Sequence, residues 1–252
     1  MSDLLVHFPK RHDLTVVPLF CACDKCLRGV HYWPMTAGGR ILRKLGACLA
    51  GLLLTGLTAT AAELKINLAD GFDFPVGKPN ADGYFKARGL RLRSPQHFGE
   101  DWNGRGGGDT DFGDPVYAVA DGIVTFAHNV HVGWGNVVLT RHAYRDSTGN
   151  VKFCDTLNGH LSEILVKEGQ LIKKGQLIGK IGSNFGMYPA HLHFEIRLNI
   201  NIGMQRTNAP ADMINWADPT DFINKHRKLN HEWRPVPVPT GTYQEYAGYK
   251  GL

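Results

Sequence analysis

The segment His191-Leu192-His193-Phe194-Glu195-Ile196 alternates polar and apolar residues as a half-buried strand does. A two-residue period places His191 and His193 on one face and Leu192 on the other. Two imidazoles side by side on a rigid strand are suited to hold a metal ion or to handle protons. The ordinary alternative is one surface histidine and one satisfied core histidine, so a second group must decide. That group is His97-Phe98-Gly99-Glu100-Asp101. A histidine and an aspartate four residues apart share a face in a helix or a strand, and both side chains then reach a common ion. On a strand Glu100 points away from them, which makes it structural rather than a general base.

The residues between these two groups add context. A Gly-rich loop, Asn103–Asp111, is followed by Gly113-Asp114-Pro115-Val116-Tyr117-Ala118-Val119-Ala120-Asp121-Gly122, then Gly135-Asn136-Val137-Val138-Leu139, then Gly159-His160-Leu161-Ser162, and finally the His-Leu-His segment. In order and spacing the stretch from Gln96 to Arg197 resembles the lysostaphin-type, LytM-like zinc endopeptidases of bacterial cell walls. The resemblance implies that His97, Asp101 and His193 bind Zn2+, a nitrogen, oxygen and nitrogen set with the fourth position left to water. It matches His160 and His191 to the two histidines of that family that do not bind the metal, one a general base and the other a stabiliser of the oxyanion, with His191 favoured as the base. It further implies a zinc metalloendopeptidase whose substrate is the peptide cross-link of peptidoglycan. The family often carries an aromatic residue where this chain has Asn158, a departure expected to touch substrate contacts rather than metal binding.

Two rival readings are weighed. A degenerate member of the same fold would bind the wall and activate other hydrolases without zinc, but all five site residues are present here. A lipoyl- or biotin-carrier domain is suggested by the echo Glu168-Gly169-Gln170-Leu171-Ile172 and Lys174-Gly175-Gln176-Leu177-Ile178. Its acceptor lysine is normally flanked by Met or Asp, which Lys173-Lys174 is not. His128 and His131 lie in a strand-to-turn segment ill suited to a metal, and His142 is a lesser candidate for orienting a ligand from behind. Gly104 to Gly108 lacks the Gly-Lys-Ser/Thr of a phosphate loop and reads as a rim of the cleft.

The elements that must position these residues are short β-rich runs between turn signals: Val116–Ala120, Gly122–Phe126, Asn136–Arg141, Leu161–Val166, Leu171–Ile172, Leu177–Ile181 and His191–Arg197. Such spacing predicts an all-β fold, a curved antiparallel β-sandwich. A short helix is expected from Pro219 to about His226, capped by Asp218 or Thr220. Beyond Trp233 an alternating Pro-Val tract and Tyr243, Tyr246 and Tyr249 read as an extended tail lying over the domain.

Arg40, Arg43 and Lys44 precede an apolar run, Leu45 to Leu57, that ends in Ala59-Thr60-Ala61-Ala62. This is the order of a secretory signal, with cleavage expected after Ala61. Met35 is the expected true start, with 1–34 an upstream extension, 35–61 the signal, 62–95 an N-terminal arm, 96–200 the catalytic domain and 201–252 a C-terminal extension packed on the core or a tail. The apolar run is short for a membrane span, so no stable span is expected after cleavage, and the mature protein is placed in the periplasm or outside the cell. Residues 1–61 hold seven Lys/Arg and three Asp/Glu of the 28 and 23 in the chain, which leaves a nearly neutral remainder and no case for nucleic acid. Cys21, Cys23 and Cys26 lack a fourth ligand nearby, and past the signal only Cys154 remains, so no internal disulfide is expected. The mature protein is expected to be a monomer.

Overall fold

A computed structural model describes residues 63–242 except 132, 205 and 231. The expected export signal and Met35 start, the Cys21 cluster and the tyrosines from Tyr243 onward lie outside the described residues. Thirteen strands follow along the described chain: β1 Lys65–Ile66, β2 Tyr84–Arg88, β3 Glu100–Gly104, β4 Pro115–Tyr117, β5 Gly122–Asn129, β6 Asn136–Arg145 and β7 Val151–Leu161. After these come β8 Glu163–Ile164, β9 Leu171–Ile172, β10 Leu177–Lys180, β11 Leu192–Arg197, β12 Trp216–Ala217 and β13 Val236–Pro237, with one α-helix, α1 Pro219–Lys225, between the last two.

The main sheet is open and runs β2-β3-β11-β7-β6-β5-β9, with β12 paired to β11. A three-stranded sheet, β4-β10-β8, lies over it, and β1 pairs with β13. Every strand ladder is antiparallel. The two larger sheets share one core: Val116 and Ile178 of the smaller sheet meet Val138, Leu192 and Phe194 of the larger, all fully buried. Truncating any of these to Ala removes packed methylenes that the rigid surround does not refill, at a typical cost of about 2–5 kcal/mol for a Leu.

The repeated Gly-Gln turns are the same device used twice. Gly169 and Gly175 take φ of 77° and 75°, open to glycine at no steric cost. In each turn the glutamine amide oxygen accepts from the backbone N–H three residues before it, Gln170 from Lys167 and Gln176 from Lys173. The carrier reading finds no support in the lysines between them. Lys173 Nζ pairs with Asp121 at 2.8 Å and Lys174 Nζ with Asp70 at 2.6 Å, so neither is presented as an acceptor.

The segments flanking the core join its sheets. β2, from the N-terminal arm, is an edge strand against β3. Near the other end Arg141 donates to both oxygens of Asp155 at 2.7 and 2.8 Å and to the carbonyl of Pro239 at 2.7 Å. This bidentate, buried pair ties the Pro-Val tract to β6 and β7. Helix α1 begins at Pro219, whose missing N–H costs nothing at that position, and the Asp218 side chain accepts from Asp221 N–H as its cap. Among the described residues no helix is long and apolar enough to cross a membrane.

Candidate metal centre

Strand β11 lies between β3 and β7, and its register sets the site. His193 stands opposite Asp101 on β3 and Gly159 on β7, so these three share a face. Phe194, Glu100 and Asn158 are likewise in register and face the other way, into the core. Glu100 is fully buried and accepts from Lys86 Nζ, Trp102 Nε1 and Thr220 N–H and Oγ, tying β2 and α1 to β3. Asn158 is buried and is not among the residues that line the cleft.

His97 precedes β3. The backbones of His97 and Arg91 exchange hydrogen bonds at 2.7 Å, which fixes the turn that carries it. Gly99 lets this turn sit against β11, because a Cβ there would come within 2.1 Å of the Phe194 carbonyl oxygen. His160 reaches the same face by a different route. Its φ of 62° breaks the two-residue alternation of β7, so that Gly159 and His160 both turn toward the cleft. His191 precedes β11, held by the pinning of Ala190: Asp109 accepts from its N–H at 2.7 Å and Asn103 donates to its carbonyl at 3.2 Å.

These five residues line one cleft of about 520 Å³, together with Arg88, Asn103, Trp134, Tyr188 and Arg206. Within it His97 Nε2, Asp101 Oδ1 and His193 Nδ1 form a triangle with sides of 2.9, 2.9 and 3.1 Å. Among the described residues it is the one group of three or more potential metal ligands so converged, and all three members are buried. The outer ring nitrogens identify the tautomers. His97 Nδ1 donates to the Gly89 carbonyl at 2.9 Å, and His193 Nε2 donates to Glu195 Oε1 at 3.0 Å. With those protons placed outward, three lone pairs face one another at the centre with no hydrogen between them. Buried acceptors at such distances repel unless a cation joins them. A nitrogen, oxygen and nitrogen triangle of this size, a few tenths of an ångström tighter than the roughly 3.3 Å edge of a tetrahedron with zinc-type bonds, fits a zinc ion.

With no cation in the triangle, a proton takes its place, and the charges respond to that. Burial raises the Asp101 carboxyl, but His193 and His97, protonated toward it in the absence of a cation, outweigh that and hold the group well below the usual range. Burial lowers His193, but Asp101 and Glu195 outweigh it and raise the imidazole above its ordinary value. Glu195 is buried as well, and Arg197 with His193 holds it down to about 2 despite that burial. Its second oxygen accepts from Arg197 Nε at 2.8 Å and Trp216 Nε1 at 3.3 Å, and Arg197 donates onward to the Gly203 carbonyl.

The two remaining histidines have a common arrangement. His160 Nδ1 donates to the Trp134 carbonyl at 3.1 Å and His191 Nδ1 to the Pro189 carbonyl at 2.8 Å, so each keeps its proton on Nδ1 and a lone pair on Nε2. Their rings lie 4.9 Å apart, and His191 Nε2 is 3.8 Å from Asp101 Oδ1. Burial, reinforced by His193 and His191, pushes His160 down to about 3, which keeps it neutral. The other histidines weighed from the sequence are elsewhere. His128 pairs with Glu168 at 3.0 Å, and His142 is wholly buried between the Asp121 carbonyl and Thr156 Oγ, outside the cleft.

Glu195, Gly89, Arg197 and Arg206 were not singled out from the sequence. Glu195 had a signal, since it continues the face of His191 and His193 by the same period of two. Gly89 acts through a backbone carbonyl and Arg206 from a distant turn, neither of which leaves a local pattern.

Comparison with known proteins agrees with this geometry. Residues 97–205 match the family described as Peptidase family M23. The chain is 35% identical over 127 residues to peptidoglycan DD-endopeptidase ShyA of Vibrio cholerae serotype O1, covering 48% of this chain and 27% of that protein. It is 39% identical over 130 residues to DD-carboxypeptidase/endopeptidase Mpg of Neisseria meningitidis serogroup B, covering 50% and 28%. Lipoprotein NlpD of Yersinia enterocolitica is 35% identical over 85 residues, which covers 34% of this chain and 78% of that one. The chain belongs to peptidase family M23, as its lysostaphin-type motifs imply. It spans little more than a quarter of the first two relatives it matches.

Proposed function

We propose that the protein is a zinc-dependent endopeptidase that hydrolyses peptide cross-links of peptidoglycan. The observation that carries the reading is the triangle of three buried acceptors with two further imidazoles presenting bare Nε2 atoms into the same cleft. The names of the relatives ShyA and Mpg, both peptidoglycan or carboxypeptidase/endopeptidase activities, support the substrate class. The catalytic unit is 96–200, with 62–95 and 201–252 arranged about it. The signal-like order of residues 40–62 supports a periplasmic or secreted location.

Zinc held by His97, Asp101 and His193 supplies Lewis acidity toward water and toward an amide carbonyl. His191 accepts a proton at Nε2 from the attacking water. Its Nδ1–H stays anchored on Pro189, and Nε2 lies 3.8 Å from Asp101 Oδ1. His160, kept neutral by burial, offers Nε2 as an acceptor that orients the water or a peptide N–H. For His160 to stabilise an oxyanion it would need a proton on Nε2, which the bond from Nδ1 to Trp134 disfavours.

Mass spectrometry of fragments released from purified peptidoglycan tests this. The protein should generate new amino and carboxyl termini within cross-links, and chelation should abolish them until zinc is restored. His191→Ala should keep its zinc and lose about 10²–10⁴-fold in turnover. A wall digest with no new termini would defeat the reading. The activator alternative rests on the relative named lipoprotein NlpD, whose name states no catalysis. It requires activity on partner hydrolases that survives His193→Ala.

A further inference from the structure

Arg206, in a 3-10 turn at Arg206–Asn208, lines the cleft. Its guanidinium carbon lies 4.9 Å from the Phe98 ring centre and 4.8 Å from that of Trp134. Both rings are fixed. Phe98 packs on Trp216 at 4.5 Å, and Trp134 meets His193 edge-on at 5.5 Å and stacks on His160 at 6.2 Å. The guanidinium is therefore held one aromatic ring away from a metal ligand. A planar cation flanked by two aromatic rings is oriented, with its fork of N–H donors directed along its edge.

No hydrogen bond or ion pair links Arg206 to another described residue. Glu195 is the acid whose charge reaches it, but both Glu195 oxygens are already taken by His193, Arg197 and Trp216. Asp101 is the single acid among the described residues lining the cleft, and it is committed to His97 and His193. Arg88 also lines the cleft but pairs with Asp101 Oδ2 at 3.7 Å, which leaves Arg206 as the lining cation without an acid among the described residues. A half-buried guanidinium in such a place, left without an acid of its own, has a vacancy for one from the ligand.

We infer that Arg206 recognises a free carboxylate on the peptide that enters the cleft, and so selects substrates bearing a carboxylate close to the scissile bond. The inference rests on the reading of this cleft as a peptide-cleaving site. The carboxylate comes either from a chain terminus or from an acidic side chain, and both present the same two oxygens to the fork.

Binding to the full chain, stripped of divalent metal so that no turnover intervenes, decides it. Isothermal titration would compare one wall tetrapeptide in four forms: both carboxylates free, the terminus amidated, the side chain amidated, and both amidated. Wild type should bind a free-carboxylate form about ten- to a hundredfold more tightly than the doubly amidated one. The singly amidated forms identify which carboxylate is read. Arg206→Gln should lower that ratio to near one while binding of the doubly amidated peptide stays as it was. Arg206→Lys, which keeps the charge without the fork, should retain a few-fold preference. Equal wild-type affinity for free and amidated peptides overturns the inference, as does an equal loss for all four forms in Arg206→Gln. The wild-type ratio decides alone if Arg206→Gln does not fold. Binding preference without any cleavage by the zinc-loaded protein would count against the peptidase reading and leave the role of Arg206 standing.

Discussion

The two ring nitrogens of His193 have opposite duties, Nδ1 facing the acceptor triangle and Nε2 donating to Glu195 Oε1. Glu195 is thereby the residue that chooses the tautomer, and Arg197 and Trp216 hold Glu195 in turn. A carboxylate behind a ligand histidine also raises the basicity of the donor nitrogen. Glu195→Gln preserves the shape but presents either a weaker acceptor or an N–H to Nε2. Zinc affinity, measured by competition with a chromophoric chelator, should fall about 10–100-fold in Glu195→Gln while the fold is kept. Unchanged affinity would mean that Glu195 serves the core alone. Residue types and spacing made His97, Asp101, His160, His191 and His193 legible, because side-chain chemistry at fixed intervals is what a motif records. Their supports were less legible, since Gly89 contributes only a carbonyl, which leaves no residue type to read.

Strand β7 is the longest among the described residues, yet no strand was expected across Val151–Leu161. Its alternation is hidden by Asp155, Thr156 and Asn158, all buried, where apolar residues were looked for. Asp155 is admitted by Arg141 and Thr156 by His142, both on β6, while Asn158 Oδ1 is buried with no hydrogen-bond partner among the described residues. The runs at Gly122–Phe126, Leu171–Ile172 and Leu177–Ile181 were read within a few residues of β5, β9 and β10, because their β-branched and apolar residues carry the period openly. His142 on β6 belongs with the buried polar set. It bridges the carbonyl of Asp121 to Thr156 on β7 and packs edge-on against Phe72. Burial lowers it from 6.5 to about 4, offset in part by Asp121. Its folded value thus lies below its unfolded one, so the unfolded chain binds more protons between the two. The stability this histidine contributes is whole above pH 6.5 and is lost as pH falls toward 4, by on the order of 3 kcal/mol. Denaturant unfolding at pH 7.5 and 4.5 should show that loss in wild type and a smaller one in His142→Gln. Equal losses in the two proteins would remove His142 from the acid response.

At the scale of the whole molecule, the open main sheet serves as a floor that aligns three strands and two loops on one point. The all-β architecture followed from the spacing of its turns, while the site followed from the register of β3, β11 and β7, which spacing alone does not give. Flanking segments stiffen that floor from outside: β2 extends its edge and shares Glu100 with α1, and Arg141 secures the Pro-Val tract. The chemistry of the site depends on a cation joining His97 Nε2, Asp101 Oδ1 and His193 Nδ1. Elemental analysis of the purified full chain after exhaustive dialysis tests this most directly, with His193→Ala and Asp101→Ala prepared in parallel. Wild type should retain zinc at one ion per chain and each variant should retain little, because two remaining donors fix neither geometry nor affinity. Wild type that holds no zinc when zinc is supplied, or variants that hold it as firmly as wild type, would contradict the assignment of His97, Asp101 and His193 as a metal centre.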